Sequence, residues 1–309
     1  MKANQGAIAF LGLGTMGAAM MPNLIRNGFR VAGYDIAPIA MQRVMHTGFR
    51  AAGSASDAAR DCNVVITMLP TSCDVRDALF GLNGAVSSLA PGALVLEMST
   101  GDATATDQIA ADLAARGIRC IDAPVGRTPR EAAEGQALIM AGGTKTDFDE
   151  ALPIFKAMAA EVIHVGAFGS GIRLKLVNNY MSMVTMVLTA EALMFGAKLG
   201  LDRATVVKVL SNTTAGRGQL LTNFPRKVLA GDVSPDFPLR MGYKDMSLAM
   251  TLAAAVGAPL GLGGYAQQMF ALAKSWNRQE QDCTAMLLLM EDLARVTRGD
   301  EAPNAVPRA

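Results

Sequence analysis

Histidine is rare in this sequence, and clustered cysteine is absent from it. The 309 residues contain 2 histidines, His46 and His164, and 4 cysteines, none of them in Cys-x-x-Cys spacing. Without clustered imidazole and thiolate ligands, the sequence predicts neither a zinc site nor an iron–sulfur site, so we expect no bound metal. Scattered cysteines also argue against a disulfide framework and are typical of a reducing compartment. We therefore expect a cytoplasmic protein.

Charge of either sign is also scarce. Lysine and arginine together number 28 and aspartate and glutamate 27, so the net charge is +1. This balance gives no electrostatic reason to expect a nucleic acid or an anionic membrane as a partner. We expect no secretory signal, and the apolar stretch between Lys175 and Glu191 reads as too short to span a membrane. Hydrophobic residues make up 51% of the chain, which is enough for two domains with their own cores.

The first half of the chain alternates strand-like and helical patterns. This alternation predicts an α/β, Rossmann-type, doubly wound parallel sheet with helices on both faces. The predicted strands cover residues 7–11, 30–34, 64–68, 94–98, 119–122, 137–141 and 162–165. Helices predicted between these strands include residues 15–27, 37–46 and 104–116.

Only helical patterns follow the glycine-containing segment 166–171. The first is a long interdomain helix over residues 172–199, and shorter helices are predicted over 202–211, 223–230, 243–256, 264–276 and 284–296. The sequence therefore predicts a nucleotide-binding Rossmann domain over residues 1–167. An all-α domain for substrate binding and oligomerisation is predicted over residues 168–309. The polar tail, residues 298–309, is expected to fray.

A glycine-rich turn follows the first predicted strand. Residues 12–17 read Gly-Leu-Gly-Thr-Met-Gly, and Asp35 ends the second predicted strand. The glycines let the backbone approach a pyrophosphate at a helix N-terminus, and the carboxylate binds the ribose hydroxyls of NAD. Because Ile36 and Ala37 follow, no adjacent arginine is available for the 2′-phosphate of NADP, and we expect NAD as the cofactor. The alternative is a glycine-rich turn beside an ordinary surface aspartate.

A polar stripe lies on the long helix. At about 100° per residue, Lys175, Asn178, Asn179 and Ser182 fall on one face of a helix that is otherwise apolar, which predicts a buried helix. With both histidines better explained as structural, Lys175 is the natural proton donor, because desolvation lowers a lysine pKa towards neutrality. The alternative is a lysine that extends its amine from a helix end into water.

Several segments together resemble the β-hydroxyacid dehydrogenases, which include 3-hydroxyisobutyrate dehydrogenase and tartronate semialdehyde reductase. They are residues 12–17, 68–70, 99–100, 122–125, 142–143, 169–179 and 244–245, and the Gly-x-x-x-Lys-x-x-Asn-Asn pattern at 171–179 is the most specific. The resemblance implies an NAD-dependent oxidoreductase in which Lys175 is the general acid. It also implies a homodimer or homotetramer that interlocks through the helical domain.

The resemblance further implies roles for the remaining site residues. The expected cofactor-binding residues are Gly12, Leu13, Gly14, Thr15, Met16, Gly17, Asp35, Met68, Leu69, Pro70, Thr100 and Lys244. The expected substrate-binding residues are Ser99, Gly126, Arg127, Thr128, Asn178, Asn179 and Ser182.

One departure from the family pattern bears on the substrate. Where most relatives read Asp-Ala-Pro-Val-Ser-Gly-Gly, this chain reads Asp-Ala-Pro-Val-Gly-Arg-Thr, with Arg127 at a usual glycine position. This element is similar to that of the family branch that reduces 3-sulfolactaldehyde in bacterial sulfoquinovose breakdown, which implies a small anionic aldehyde or alcohol as substrate. A 3-hydroxyisobutyrate dehydrogenase, or a tartronate or succinate semialdehyde reductase, remains an alternative because arginine also pairs with carboxylates. A structural alternative for Arg127 is a surface ion pair with Glu131. For the whole protein, a non-catalytic NAD-binding scaffold is the alternative that is not an enzyme.

Overall fold

A largely parallel β-sheet forms the centre of the first half of the molecule. The structure, a computed structural model, describes residues 7–297. The strands in this part of the chain are β1 (Ala7–Leu11), β2 (Arg30–Tyr34), β3 (Arg50–Ala51), β4 (Val64–Thr67), β5 (Leu94–Glu97), β6 (Arg119–Asp122), β7 (Val125–Gly126), β8 (Ala137–Gly142) and β9 (Ala159–Gly166). Their order is β3-β2-β1-β4-β5-β6-β8-β7, and β9 also pairs with β8. The pairs from β3 to β6 are parallel, as is β8 with β9, whereas β8 runs antiparallel to β6 and β7.

α-Helices connect most of these strands and, with short 3₁₀ helices, turns and loops, make up the rest of the described chain. They are α1 (Thr15–Arg26), α2 (Pro38–Val44), α3 (Ala55–Ala59), α4 (Ser72–Phe80), α5 (Ala103–Ala114), α6 (Pro129–Ala133), α7 (Lys145–Met158), α8 (Ser170–Lys198), α9 (Arg203–Ser211), α10 (Thr214–Arg217), α11 (Asn223–Arg226), α12 (Leu239–Ala255), α13 (Gly261–Ser275) and α14 (Met286–Ala294). The predicted fold class, a Rossmann-type sheet followed by helices, is confirmed within residues 7–297. The predicted fraying of the tail 298–309 lies outside the described residues.

The sheet is buried on both faces. Along β1, Ile8 and Phe10 belong to one hydrophobic cluster, whereas Ala9 and Leu11 belong to another. This period of two arises because successive side chains of a strand point to opposite faces. A strand covered on both faces is apolar throughout, which explains why the run Ala7–Leu11 was predicted with its observed bounds.

The chain divides into two compact units between Met181 and Ser182, within α8. The first unit contains the sheet. The second unit contains helices only, in the part of it that the structure describes, and Leu239, Met269, Ala273, Ala285 and Leu289 form a small core there. The predicted domain boundary at residues 167 and 168 stays a prediction.

The prediction that α8 is buried is wrong for the single chain. Val177 is 64% exposed and Tyr180 is 73% exposed, and most of the helix is similarly accessible. The inference failed because an apolar surface indicates that something covers a helix, but it does not say that the same chain does so. With 29 residues, α8 is also long and apolar enough to cross a membrane by length and composition, contrary to the expectation from its charge-free stretch. The two asparagines do not lower the mean hydropathy enough to prevent this.

Candidate functional site

A cavity of about 960 Å³ opens at the carboxyl ends of β1, β2, β4 and β5, in the first unit. Ligands of open α/β sheets bind at this edge, because the connecting loops and helix N-termini meet there. Twelve of the predicted site residues line the cavity: Gly12, Gly14, Thr15, Met16, Asp35, Met68, Leu69, Pro70, Ser99, Thr100, Arg127 and Lys175. The structure therefore brings the glycine-rich turn, the acidic strand end, the arginine and the lysine to one cavity.

The glycine-rich turn leaves no room for side chains at two of its positions. Gly12 has φ +98°, and a Cβ there would lie 2.2 Å from the carbonyl oxygen of Met68. A Cβ at Gly17 would lie 2.0 Å from the carbonyl oxygen of Gly12. Gly14, by contrast, faces open space at the N-terminus of α1, where no side chain caps the helix. The uncapped amides and the open approach fit a pyrophosphate.

Asp35 is fixed at the end of β2 by two backbone amides. Its Oδ2 accepts a hydrogen bond from the Leu13 amide at 2.7 Å, and its Oδ1 accepts one from the Ala37 amide at 2.8 Å. Leu13 itself is fully buried and contributes through its backbone. Arg43, on α2, lines the same cavity. The sequence reading missed this arginine because it considered only the residues next to Asp35.

Lys175 reaches the cavity from the second turn of α8. The side chain is half-buried, and desolvation lowers the pKa of its amine. A neutral amine is therefore closer in free energy to the ammonium than it is for a lysine in water. A half-buried lysine is compatible both with proton transfer and with a side chain that extends its amine from a buried stem into water, so the catalytic role of Lys175 stays a prediction.

The other members of the polar stripe do not line the cavity. Asn178 donates a hydrogen bond to Asn179 Oδ1 at 3.2 Å, and Asn178 is exposed. Ser182 is exposed and belongs to the second unit, as does Lys244, which pairs with Asp245 at 2.9 Å. Ligand contacts by these four residues stay predictions.

Arg127 has an uncommon backbone conformation and two recorded partners. Its φ is +73°, in the left-handed region. Nη1 donates to the Gln136 carbonyl oxygen at 2.7 Å, and Nη2 donates to Glu161 Oε2 at 3.0 Å. The structural alternative, a surface ion pair of Arg127, is present, but its partner is Glu161 and not the predicted Glu131. These two contacts use two of the five guanidinium N–H donors and leave the other three.

The two neighbours of Arg127 have structural roles. Gly126 is buried in β7 and pairs with Leu138 of β8. Thr128 caps α6: its hydroxyl donates to Glu131 Oε2 at 2.7 Å and accepts from the Glu131 amide at 3.3 Å. This reciprocal capping box occupies the threonine hydroxyl. The structure does not bring either residue to the lining of the cavity, and their roles as substrate ligands stay predictions.

Two buried carboxylates lie on neighbouring strands and are not part of the cavity lining. Glu97 and Asp122 are register partners at the ends of β5 and β6. Burial raises the pKa of Glu97 to about 7 and that of Asp122 to about 6. The sequence reading assigned no role to either residue. An acidic residue that ends each of two adjacent apolar strands was the signal available.

Asp122 joins the sheet to the lysine helix. Its oxygens accept hydrogen bonds from the amides of Gly169 and Ile172, each at 2.7 Å. The junction is tightly packed, because a Cβ at Gly142 would lie 2.5 Å from Asp122 Oδ1 and one at Gly171 would lie 2.7 Å from the Asp122 carbonyl oxygen. The carboxylate therefore satisfies free amides at the start of α8, one turn before Lys175.

Comparisons with known proteins identify the family of the chain. A family model described as the NAD binding domain of 6-phosphogluconate dehydrogenase matches residues 7–166. A second, described as NAD-binding of NADP-dependent 3-hydroxyisobutyrate dehydrogenase, matches residues 169–290. The 3-sulfolactaldehyde reductase of Escherichia coli strain K12 is 41% identical over 281 residues, which cover 91% of this chain and 94% of that protein. The chain belongs to the β-hydroxyacid dehydrogenases.

Solved structures agree with this family. The 3-hydroxyisobutyrate dehydrogenase of Mycobacterium tuberculosis, solved with L-serine, matches with a TM-score of 0.65 and 32% identity, over 93% of this chain and 99% of that one. An imine reductase from Myxococcus stipitatus in complex with NADP⁺ matches with a TM-score of 0.83 but 13% identity, over 92% and 99% of the two chains. At that identity the similarity shows the fold alone. This β-hydroxyacid dehydrogenase is an NAD-dependent oxidoreductase, so the alternative of a non-catalytic scaffold is excluded.

Proposed function

We propose that this dehydrogenase reduces 3-sulfolactaldehyde to 2,3-dihydroxypropane-1-sulfonate with NADH. The observation that carries the proposal is the shared cavity, which Arg127 and Lys175 line together with the glycine-rich turn and Asp35. A cation for the anionic end of a substrate and a proton donor for its carbonyl are thereby available beside the cofactor-binding turn.

The roles of NADH and Lys175 in the proposed reaction follow from the chemistry of each group. NADH supplies a hydride to the aldehyde carbon when it is bound. The Lys175 ammonium gives a proton to the carbonyl oxygen, which becomes the new hydroxyl, and the neutral amine is then reprotonated from solvent. Desolvation favours this step because it lowers the pKa of the amine and so makes the ammonium a stronger acid.

The backbone of Arg127 supports a selected role for its side chain. A non-glycine residue at φ +73° costs on the order of 1 kcal/mol, and a glycine there would avoid that cost. Retention of a strained arginine is explained if its guanidinium recognises a ligand. The N–H donors outside its contacts with Gln136 and Glu161 leave capacity to bind an anionic group, and one guanidinium edge can place two parallel N–H donors on a sulfonate. An identity of 41% to a 3-sulfolactaldehyde reductase supports the same substrate.

A substrate panel tests this assignment. With NADH, we expect kcat/KM for 3-sulfolactaldehyde to exceed that for tartronate semialdehyde and methylmalonate semialdehyde by about tenfold or more, since a charge-assisted hydrogen bond contributes about 1.5–3 kcal/mol. Arg127→Gly, which suits the local backbone, should remove most of this difference, and Arg127→Lys should keep part of it. Equal kcat/KM for the three aldehydes would refute the sulfonate and leave a carboxylic semialdehyde as the substrate. Full selectivity in Arg127→Gly would refute the role given to Arg127.

We also propose that the chain forms a homodimer or homotetramer in the cytoplasm, with α8 covered by a second copy. The exposed apolar side chains of Val177, Tyr180 and Met186 support this, because a solvated surface of this kind is unfavourable. Light scattering should give a multiple of 32.3 kDa, and Val177→Glu should lower the oligomer mass. A monomer without detergent, or a chain found only in membranes, would contradict the proposal.

The two family models, which meet near residue 167, support a domain boundary there.

A further inference from the structure

Glu161 is a charged residue that the proposed reaction does not use. Its side chain, on β9, is 49% exposed, and its Oε2 lies 3.0 Å from Nη2 of Arg127. An ion pair this exposed usually contributes little to stability, so stability alone does not explain it. Its partner, however, also lines the cavity. The pair therefore connects a surface carboxylate to the candidate site.

The register of three strands brings the two residues together. Gly126 on β7 pairs with Leu138 on β8, and Leu138 pairs in turn with Glu161 on β9. Two spacings between neighbouring strands, about 10 Å in total, separate β7 from β9. Arg127 directly follows Gly126, so the arginine and glutamate side chains meet only by reaching across β8. The contact thus restricts where the guanidinium can lie.

A backbone carbonyl holds the same guanidinium at a second nitrogen. Nη1 donates to the Gln136 carbonyl oxygen at 2.7 Å, while Nη2 donates to Glu161. Because the guanidinium is planar and rigid, contacts at two of its nitrogens orient the whole group. Glu131, a second carboxylate near Arg127, is engaged instead by the amide and hydroxyl of Thr128.

We propose that Glu161 is a positioning residue that orients the guanidinium of Arg127 for the anionic end of the substrate. This inference rests on the proposed function, in which Arg127 binds that end. A ligand that binds a free arginine has to restrict its rotatable bonds, and contacts formed before the ligand arrives reduce this entropic cost. The N–H groups outside the contacts with Gln136 and Glu161 remain available to the ligand.

The negative charge of Glu161 has an opposite effect. A carboxylate beside Arg127 also repels an anionic ligand, and if this repulsion dominated, removal of Glu161 would tighten binding. Because the Glu161 side chain is about half exposed, solvent and salt screen the repulsion, and we expect the loss of orientation to have the larger effect. Glu161→Gln separates the two effects, since it keeps an oxygen acceptor and removes the charge.

Steady-state kinetics give the first test. With 3-sulfolactaldehyde, we expect Glu161→Ala to raise KM about three- to tenfold and to leave kcat nearly unchanged, because the lost preorganisation concerns binding and not the reacting carbonyl. Glu161→Gln should recover part of the loss. Glu134→Ala, which removes an exposed glutamate paired with Arg130 outside the cavity lining, is the matched control and should leave KM unchanged. A lower KM in both Glu161→Ala and Glu161→Gln would overturn the proposal.

A neutral aldehyde tests whether the effect acts through the anion. Glyceraldehyde matches 3-sulfolactaldehyde except that a hydroxyl replaces the sulfonate. We expect Glu161→Ala to leave kcat/KM for glyceraldehyde unchanged, since no anionic group is present for Arg127 to bind. If the ion pair only supported the local structure, the substitution would lower kcat/KM for both aldehydes, and such equal losses would refute the positioning role.

A double-mutant cycle tests whether Glu161 acts through Arg127. Because Arg127→Gly removes the group that Glu161 orients, Arg127→Gly/Glu161→Ala should have the same kcat/KM for 3-sulfolactaldehyde as Arg127→Gly alone. Multiplicative losses would show that the two residues act independently and would contradict the inference.

A carboxylate substrate separates this inference from the proposed function. If sulfonated aldehydes are not reduced, tartronate semialdehyde takes their place, and glyceraldehyde is again the neutral match. A loss of kcat/KM in Arg127→Gly without a loss in Glu161→Ala would refute the role of Glu161 and keep that of Arg127. No loss in Arg127→Gly with either anionic aldehyde would refute the role of Arg127 and this inference with it.

Discussion

The two ends of the cavity are built differently. At the Asp35 end, the ligand-facing groups are backbone amides and a carboxylate that two amides hold in place, all within the first unit. At the Lys175 end, Ile172 in the first turn of α8 is buried in a packed junction, whereas Val177, less than two turns later, is exposed. The cofactor-binding turn is thus formed within a single unit of the chain, whereas the surface that follows the lysine is apolar and exposed.

Loss of the lysine should have the largest effect. We expect Lys175→Ala to lower kcat by about 10²–10⁴, the range for a positioned general acid, while the Kd of NADH changes little because the Asp35 end is intact. Lys198→Ala, at the other end of the same helix, is the matched control and should keep normal turnover. Stopped-flow reduction and fluorescence binding of NADH separate the two ends of the cavity. Normal turnover in Lys175→Ala would contradict the assignment of the proton donor to the Lys175 end of the cavity.

The buried carboxylate of Glu97 predicts an unusual dependence of the free energy of unfolding on pH. The pKa of Glu97 is raised from 4.5 to about 7, so between these values the folded state binds more protons than the unfolded state. The stability that this proton uptake contributes is present below pH 4.5 and is lost as pH rises through about 7. At about 1.4 kcal/mol per pKa unit, the free energy of unfolding should fall by about 3 kcal/mol through Glu97.

The test of this prediction is urea denaturation between pH 5 and 8. Glu97→Gln cannot titrate, so the pH slope of its free energy of unfolding should be flatter than that of the wild type. Parallel slopes would mean that Glu97 is not the group responsible. Asp122, whose pKa is raised to about 6, contributes a second decline that remains in this variant.

The smallest expected effect concerns cofactor choice. Because a carboxylate at Asp35 repels the 2′-phosphate of NADP, we expect NADH to be preferred, and Asp35→Asn should reduce that preference about tenfold. Asp61→Asn, an exposed aspartate that does not line the cavity, is the control for net charge. Arg43, which does line the cavity, sharpens the test: if it pairs with the 2′-phosphate, Asp35→Asn/Arg43→Ala should use NADPH less well than Asp35→Asn. Equal use of both cofactors by the wild type would contradict the role of Asp35.

The sequence predicts most of the sheet but not its shortest parts. The strands Ala7–Leu11, Arg30–Tyr34 and Arg119–Asp122 have the predicted bounds, since each is an apolar-rich run between turn signals. Arg50–Ala51 and Val125–Gly126 were missed because two residues are too few to show an alternating pattern. Only tertiary pairing makes these residues strands.

Residue type and order along the chain were enough to locate the main parts of the site. They were not enough to identify which side chains and amides pair with each other there. The glycine-rich turn and Asp35 could be located because a strand, a turn and a helix follow one another in the sequence. The pair between Arg127 and Glu161 joins residues 34 positions apart, and the Ser99 hydroxyl accepts a hydrogen bond from the Leu69 amide 30 positions earlier. Such contacts depend on the register between strands, which local patterns do not encode. The prediction that α8 is buried was wrong for the single chain because an apolar pattern does not specify which surface would cover the helix.

The junction around Asp122 constrains how this enzyme can change. Lys175 lies three residues beyond Ile172, or about 4.5 Å along the helix axis. Any displacement of the helix start therefore also moves its amine. Methyl groups at positions 142 or 171 would have to move that start, since backbone and carboxylate atoms already lie within 3 Å of where they would sit. Two glycines that do not line the cavity therefore fix the position of Lys175, and we expect substitutions there to alter turnover before they alter substrate specificity.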